Sequence, residues 1–219
     1  MVPYLQVADL PQLIPVFPLD GALLLPGGEL PLQIFEPRYL NMIDDAMAGD
    51  QVIGIIQTRA GGDRERPHLA PVGCVGRITS YNETSDGRYL ITLTGVCRFE
   101  AGDELDLRLP YRQLRARYVR FGGDLVRDEE VEAEIKARNR FAKVLKAYLN
   151  RRELDIDWET ASEAPLESLV NSLCMGLPFT SAEKQAFLEA PDLAGRFEVL
   201  TTLLEIDVGD AGDERPQLQ

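Results

Sequence analysis

Proline punctuates one half of this chain and barely touches the other. Ten of the fourteen prolines fall within the first 120 residues, whereas all four lysines, Lys136, Lys143, Lys146 and Lys184, come later. A segment broken by Pro or Gly every few residues cannot sustain a long helix, because each Pro removes a backbone N–H and clashes with the preceding turn. The runs between the breaks are rich in Val, Ile, Leu and Tyr, which suit a pleated, half-buried surface. The first half therefore reads as strand and turn.

Seven runs read as strands: 13–17, 30–34, 52–57, 73–81, 89–95, 97–100 and 111–119. Together they predict a compact, mainly antiparallel sheet or barrel. Asp20-Gly21 and Asp86-Gly87 supply turn chemistry, since glycine accepts the positive φ of tight hairpins, and residues 82–88 read as a hairpin tip. One helix interrupts the strands. From Pro37 onward, Tyr39, Leu40, Ile43 and Met47 recur at helical spacing; Pro37 fits the first turn, and Gly49 ends the helix. Residues 59–67, with Gly61-Gly62 and mixed charge, read as a mobile loop.

The period changes near residues 121–128, where Gly122-Gly123 and a charged stretch mark a domain boundary. Beyond it three apolar stripes have helical spacing: Val131, Ile135, Phe141, Val144, Leu145 and Tyr148; Leu166, Leu169, Val170 and Leu173; Leu193, Phe197, Leu200 and Leu204. Thr180 precedes Glu183 by three residues, a capping box opening a short helix. Residues 208–219 carry almost no apolar content, so they are expected to form a disordered acidic tail. The fold class is thus α+β, with a β subdomain over 1–120 that includes one helix, and a helical bundle over 121–207.

The 36 acidic and 23 basic residues give a net charge of -13. The charge is uneven: 15 acids against 12 bases up to residue 120, then 21 against 11. Such a field repels phosphate backbones and anionic headgroups, so neither nucleic acid nor membrane is an expected partner. No apolar run approaches the ~18 residues of a membrane span. The first basic residue is Arg38, so the N-terminus lacks the cationic region of a secretory signal. Cys74, Cys97 and Cys174 are odd in number and sparse, which suits small buried hydrophobes in a reducing cytoplasm, with no disulfide.

The search for chemistry returns little. No Gly-Lys dipeptide exists to close a phosphate loop, and Gly73-x-x-Gly76 lies inside an apolar strand pattern, which favours close strand packing. His68, the one histidine, sits in a polar stretch far in sequence from the later cysteines, so no zinc site is expected. Asp155-x-Asp157-x-Glu159 resembles the start of a calcium loop but lacks the glycine at the sixth position, and reads as a solvated acidic loop. Ser181-x-x-Lys184 has the spacing of a serine–lysine pair, yet hydroxyl capping explains it, with Lys184 on the outer face. Asp44-Asp45 reads as a solvated helix face. No catalytic residue, metal or cofactor is expected.

One stretch carries a family resemblance. Residues 14–47, IPVFPLDGALLLPGGELPLQIFEPRYLNMIDDAM, resemble the opening of the N-terminal domain of the ATP-dependent Lon protease family: the Phe-Pro-Leu start, the Leu-Pro-Gly turn at Leu25 to Gly27, then a strand running into Phe35-Glu36-Pro37-Arg38-Tyr39. Val72 to Ile78 is similar to the family's next strand, Gly95-Val96-Cys97-Arg98-Phe99 to its Gly-x-x-Arg-hydrophobic strand, and Lys184-Gln185 through Arg196 to its closing helices. The resemblance covers about 190 residues. It implies a pseudouridine-synthase-and-archaeosine-transglycosylase-like (PUA-like) β fold followed by a helical bundle. It further implies a region that recognises unfolded or tagged proteins, alone or with an ATP-dependent protease, and that takes part in oligomer assembly, here expected as weak self-association. The ATPase and Ser-Lys protease domains that follow in full-length Lon have no counterpart before Gln219, so protease activity is not carried over.

A recogniser of unfolded segments needs an accessible apolar groove with a polar rim. The candidate residues are Leu23, Leu24 and Leu25, which cannot all face one side of a strand, together with Phe35, Glu36, Arg38 and Tyr39. The opposing reading places all of them in the core. A further alternative is a small-ligand-binding protein or enzyme with its pocket between the β half and the helices.

Overall fold

A computed structural model describes residues 4–62, 66–105, 108–126 and 139–210. Six strands, β1 (Leu13–Pro18), β2 (Glu29–Ile34), β3 (Val52–Gly62), β4 (Pro67–Glu83), β5 (Tyr89–Glu104) and β6 (Arg112–Arg117), lie in the order β2-β5-β4-β3-β1-β6. The far end of β5 also pairs with β6, so five strands close into a barrel and β2 extends one wall. Every pairing is antiparallel except β1 with β3, whose intervening chain holds β2 and helix α1 (Pro37–Ala48). β3 explains the closure. Its residues 52–57 are buried without alternation, as a strand covered on both faces must be.

Inside the barrel, Phe99 is fully enclosed. It fits because Gly54 and Gly73 face it: a Cβ on Gly73 would stand 2.8 Å from the ring, which no side chain tolerates. The Gly73/Gly76 pair therefore serves strand packing, as its apolar setting indicated. The two short strands expected at 89–95 and 97–100 are one strand with Val96 bulged out, since Gly76 faces Gly95 while Val75 faces Cys97.

Two sequence expectations give way here. Residues 59–62 and 67 belong to β3 and β4, which pair through Arg59 and His68, so His68 stands on a strand; mixed charge there marks solvent exposure of a hairpin end. Residues 63–65 lie outside the described residues. Asp44 and Asp45 are exposed, as a solvated helix face requires, and also accept hydrogen bonds from the Tyr89 and Tyr111 hydroxyls at 2.9 and 2.6 Å. The last helix runs through Asp210, three residues into the expected tail, because Leu204 is buried and Asp207 pairs with Arg151 and Arg152. Residues 211–219 are outside the description, as are Val131 and Ile135.

After a 3-10 turn at Val119–Leu125 the helices are α2 (Asn139–Arg151), α3 (Trp158–Glu163), α4 (Leu166–Gly176), α5 (Ser181–Glu189) and α6 (Leu193–Asp210). The described members of the three stripes pack inward, with Phe141 and Phe197 ring centroids 4.7 Å apart. Thr180 and Glu183 form the reciprocal capping box that opens α5. Asp157 caps α3 through the amides of Glu159 and Thr160, so the acidic loop has a structural task.

Polar ties join sheet to helices. Arg98 of β5 is 1% exposed and grips Asp124, with Nε and Nη2 at 2.9 and 2.7 Å from the two carboxylate oxygens. Its guanidinium also donates to the carbonyls of Leu188 in the last turn of α5 and of Ala190 and Pro191 after it, and lies 4.3 Å over the Phe121 ring. Arg196, equally buried, donates to Asn171 at 2.8 Å, and Asn171 donates to the Pro26 carbonyl at 2.7 Å. Burial, then the neighbouring Arg98 charge, pulls the Arg196 pKa down.

Candidate functional site

The seven candidate residues divide by exposure. Leu23, Leu24, Leu25 and Tyr39 are buried, whereas Phe35 is 62% exposed and Glu36 and Arg38 are half-buried. All three leucines lie in irregular chain and not in a strand. Leu24 fills the space beside Gly76, and the Leu25 carbonyl lies where a Cβ on Gly95 would be. Leu24 and Leu25 thus serve packing, whereas Leu23, 3% exposed, forms part of the wall of a cleft between the halves.

What reaches the surface is the corner where β2 turns into α1. Glu36 occupies the helix N-cap in extended conformation and makes no side-chain cap, while Pro37 takes the first turn. Its free carboxylate accepts from Arg38 Nε at 3.0 Å. Both partners are about two-fifths exposed, and a surface pair of this kind contributes roughly 0–1 kcal/mol, so a ligand carboxylate can replace Glu36 at little cost. The Arg38 guanidinium sits 4.6 Å over the Tyr39 ring, which in turn packs on Phe17 at 4.2 Å. Burial raises the Tyr39 pKa, leaving a neutral aromatic platform under the cation.

Arg38 and Tyr39 form one wall of a cleft of about 440 Å³. Its other walls bring Asp20, Arg66, Leu109 and Arg112 from distant points of the chain. Arg112 is anchored to Glu104 through Nε at 2.9 Å and to the Pro67 carbonyl through Nη1 at 2.7 Å. Burial and a hydrogen bond to Asp45 push the Tyr111 pKa up to about 12. The cleft therefore offers guanidinium groups and neutral tyrosines, a chemistry for carboxylate and aromatic groups; Phe35, exposed just after β2, is not one of its walls. Sequence reasoning found Arg38 and missed Arg66, Leu109 and Arg112, which only barrel closure brings there.

A larger cleft, about 630 Å³, does lie between the halves, bounded by the 21–31 segment, α4 and Lys184. Glu29, Ser168 and Ser172 on its walls are exposed, while two other polar side chains are tied into the fold. Lys184, expected on the outer face of α5, donates to the Gly21 carbonyl at 2.7 Å, and Asn171 is committed to Pro26 and Arg196. Among the described residues no group of three His, Cys, Asp or Glu side chains is placed to hold a metal ion. No described helix is long and apolar enough to cross a membrane.

Residues 13–205 match the model of the ATP-dependent protease La (LON) substrate-binding domain. The chain belongs to that family. Among its relatives, Lon protease 2 of Myxococcus xanthus is 30% identical over 205 residues, covering 90% of this chain and 24% of the relative. Lon protease of Anaeromyxobacter dehalogenans is 29% identical, covering 90% and 23%. The chain thus spans about a quarter of the length of these relatives. The Lon N-terminal domain protein from Xanthomonas campestris has the same fold, with a TM-score of 0.61 at 21% identity over 87% of this chain and 97% of that one. The N-terminal domain of Mycobacterium avium complex Lon protease matches with a TM-score of 0.63 at 21% identity, over 88% and 98%. In this Lon substrate-binding domain most residues that carried the resemblance are structural: Gly95 admits Leu25, Arg98 clamps Asp124, and Gln185 donates to the Val72 carbonyl.

Proposed function

We propose that this chain is a non-catalytic polypeptide-binding module that holds unfolded protein segments, alone or for an ATP-dependent protease, through the β2–α1 corner. The observation that carries the reading is the corner itself, where Phe35, 62% exposed just after β2, is followed within three residues by the exchangeable Arg38–Glu36 pair, and Arg38 lines the 440 Å³ cleft. An exposed aromatic next to a cation meets the two groups that an unfolded chain presents most readily, apolar side chains and carboxylates. The family description, a substrate-binding domain, supports the same reading.

The candidate nucleophiles are otherwise engaged. Burial drives the Cys97 and Cys174 thiols up to about 12 and holds Cys74 well above the ordinary thiol range, the reverse of an activated thiolate. Ser181 stands in the first turn of a capped helix, and Lys184 is tied to Gly21. A reducing cytoplasm suits three free, buried thiols. The enzyme or small-ligand reading retains the larger cleft, whose Lys184 and Asn171 serve the fold.

The test is binding of a fluorescent, permanently unfolded model protein. Phe35→Ser with Arg38→Glu is expected to weaken it at least tenfold while the circular dichroism and melting temperature stay within error. Undiminished binding removes the corner as the contact surface.

A further inference from the structure

The helical half contains a second feature that the corner does not use. Helix α3 is six residues long and has no buried side chain. It crosses the helical core as a strap, with a cavity of about 450 Å³ on one side and about 400 Å³ on the other. Both cavities are mainly apolar and share the walls Ile156, Ala161, Ala164 and Leu169. Moving the strap by a few ångströms joins them into one groove. A short capped helix with no buried side chain is cheap to move, because local opening costs only the contacts it breaks.

The charge around the groove has one sign. Among the described residues the only charged side chains lining the two cavities are Asp155 and Asp157. The strap and its approach, residues 153–163, add Glu153, Glu159 and Glu163, all exposed, and contain no base. The chain as a whole carries -13. An apolar trough under an acidic rim, in an acidic molecule, favours an apolar occupant with cationic flanks, drawn in by the field and seated by burial.

We infer that the groove beneath α3 is a second polypeptide-binding site, whose occupant is an apolar segment flanked by lysine or arginine. The assignment rests on the polypeptide-binding reading above and names the chemistry of one class of client. The aromatic, carboxylate-seeking corner and the acidic groove select opposite flanks, so together they hold segments that neither would hold alone.

The chain's single tryptophan, Trp158, opens the strap and lines the smaller cavity at 42% exposure, so it reports occupancy directly. Two synthetic peptides sharing one Leu/Phe-rich core, one flanked by lysines and one by glutamates, are titrated while Trp158 emission is recorded. The lysine-flanked peptide is expected to shift the emission and to bind at least tenfold tighter than the other, with the preference shrinking as salt rises. Ala161→Leu fills the shared wall and pins the strap; it should weaken that peptide at least tenfold without lowering the melting temperature, which separates occlusion from misfolding. The triple variant Glu153→Lys, Glu159→Lys, Glu163→Lys should reverse the preference. Equal affinity for the two peptides, or unchanged affinity in Ala161→Leu, overturns the groove. Loss of the lysine-flanked peptide only in Phe35→Ser would leave polypeptide binding standing at the corner and remove the groove, whereas no binding of either peptide or of the unfolded model protein removes both.

Discussion

Arg98 is the side chain on which the rest of the molecule turns. It is a fully buried cation that satisfies its donors with one carboxylate and three carbonyls, from the 3-10 turn at Val119–Leu125 and from the last turn of α5 and the chain just after it. A buried ion pair adds little net stability, because desolvating both charges offsets their attraction, but removing one partner leaves the other charge stranded. Asp124→Ala should therefore destabilise the protein by roughly 3–5 kcal/mol, measured by urea unfolding. Replacing Arg98 and Asp124 together by Met and Leu should recover much of that loss. Arg196 differs in kind: it has no carboxylate partner among its described hydrogen bonds, and its Nη2 makes none. Its lowered pKa records that uncompensated burial.

Elements whose cause is local were legible in the sequence. α1 starts at Pro37 and ends at Ala48 before Gly49, because both signals lie within the helix's own chain. The Thr180–Glu183 box is another such case, and Thr180→Ala should cost about 1 kcal/mol, read from the same unfolding curve. What escaped was whatever needs two distant segments. The parallel β1–β3 pairing, the β5–β6 closure and the bulge at Val96 are set by register across strands, and no residue announces them in isolation. The candidate site shows the same division. Phe35, Glu36 and Arg38 were visible as a charged, aromatic helix start, yet Tyr39 and the three leucines, alike in composition, face inward, and Arg112 joins from 74 positions beyond Arg38. β2 shows a related economy: it pairs on one side with β5 and carries Pro31 mid-strand, a residue that cannot donate to an added strand.

The described strands end at Arg117 and the next described α-helix begins at Asn139, and it is a separate matter whether that change of element divides the stability. The buried apolar residues form one cluster that runs from Ile14 in β1 to Leu204 in α6, and Arg98, Asn171, Gln57 and Lys184 bind across it. We propose that the 1–120 and 121–207 parts unfold together. The thiols provide the measurement, because Cys97 lies in β5 and Cys174 in α4, both free and buried. Burial raises both from the ordinary thiol range to about 12, so in the native state they stay protonated and shielded. A folded-state pKa above the unfolded one contributes stability that is fully present below pH ~9 and is lost as the pH climbs toward 12. Labelling at pH ~8 therefore probes the fold without weakening it. Iodoacetamide labelling across a urea series, with each cysteine resolved by peptide mass spectrometry, should give Cys97 and Cys174 the same midpoint, coincident with the loss of helical ellipticity. A Cys174 that becomes reactive at lower urea than Cys97 would mean that the helices open while the barrel holds, and that the boundary near residue 120 separates two cooperative units.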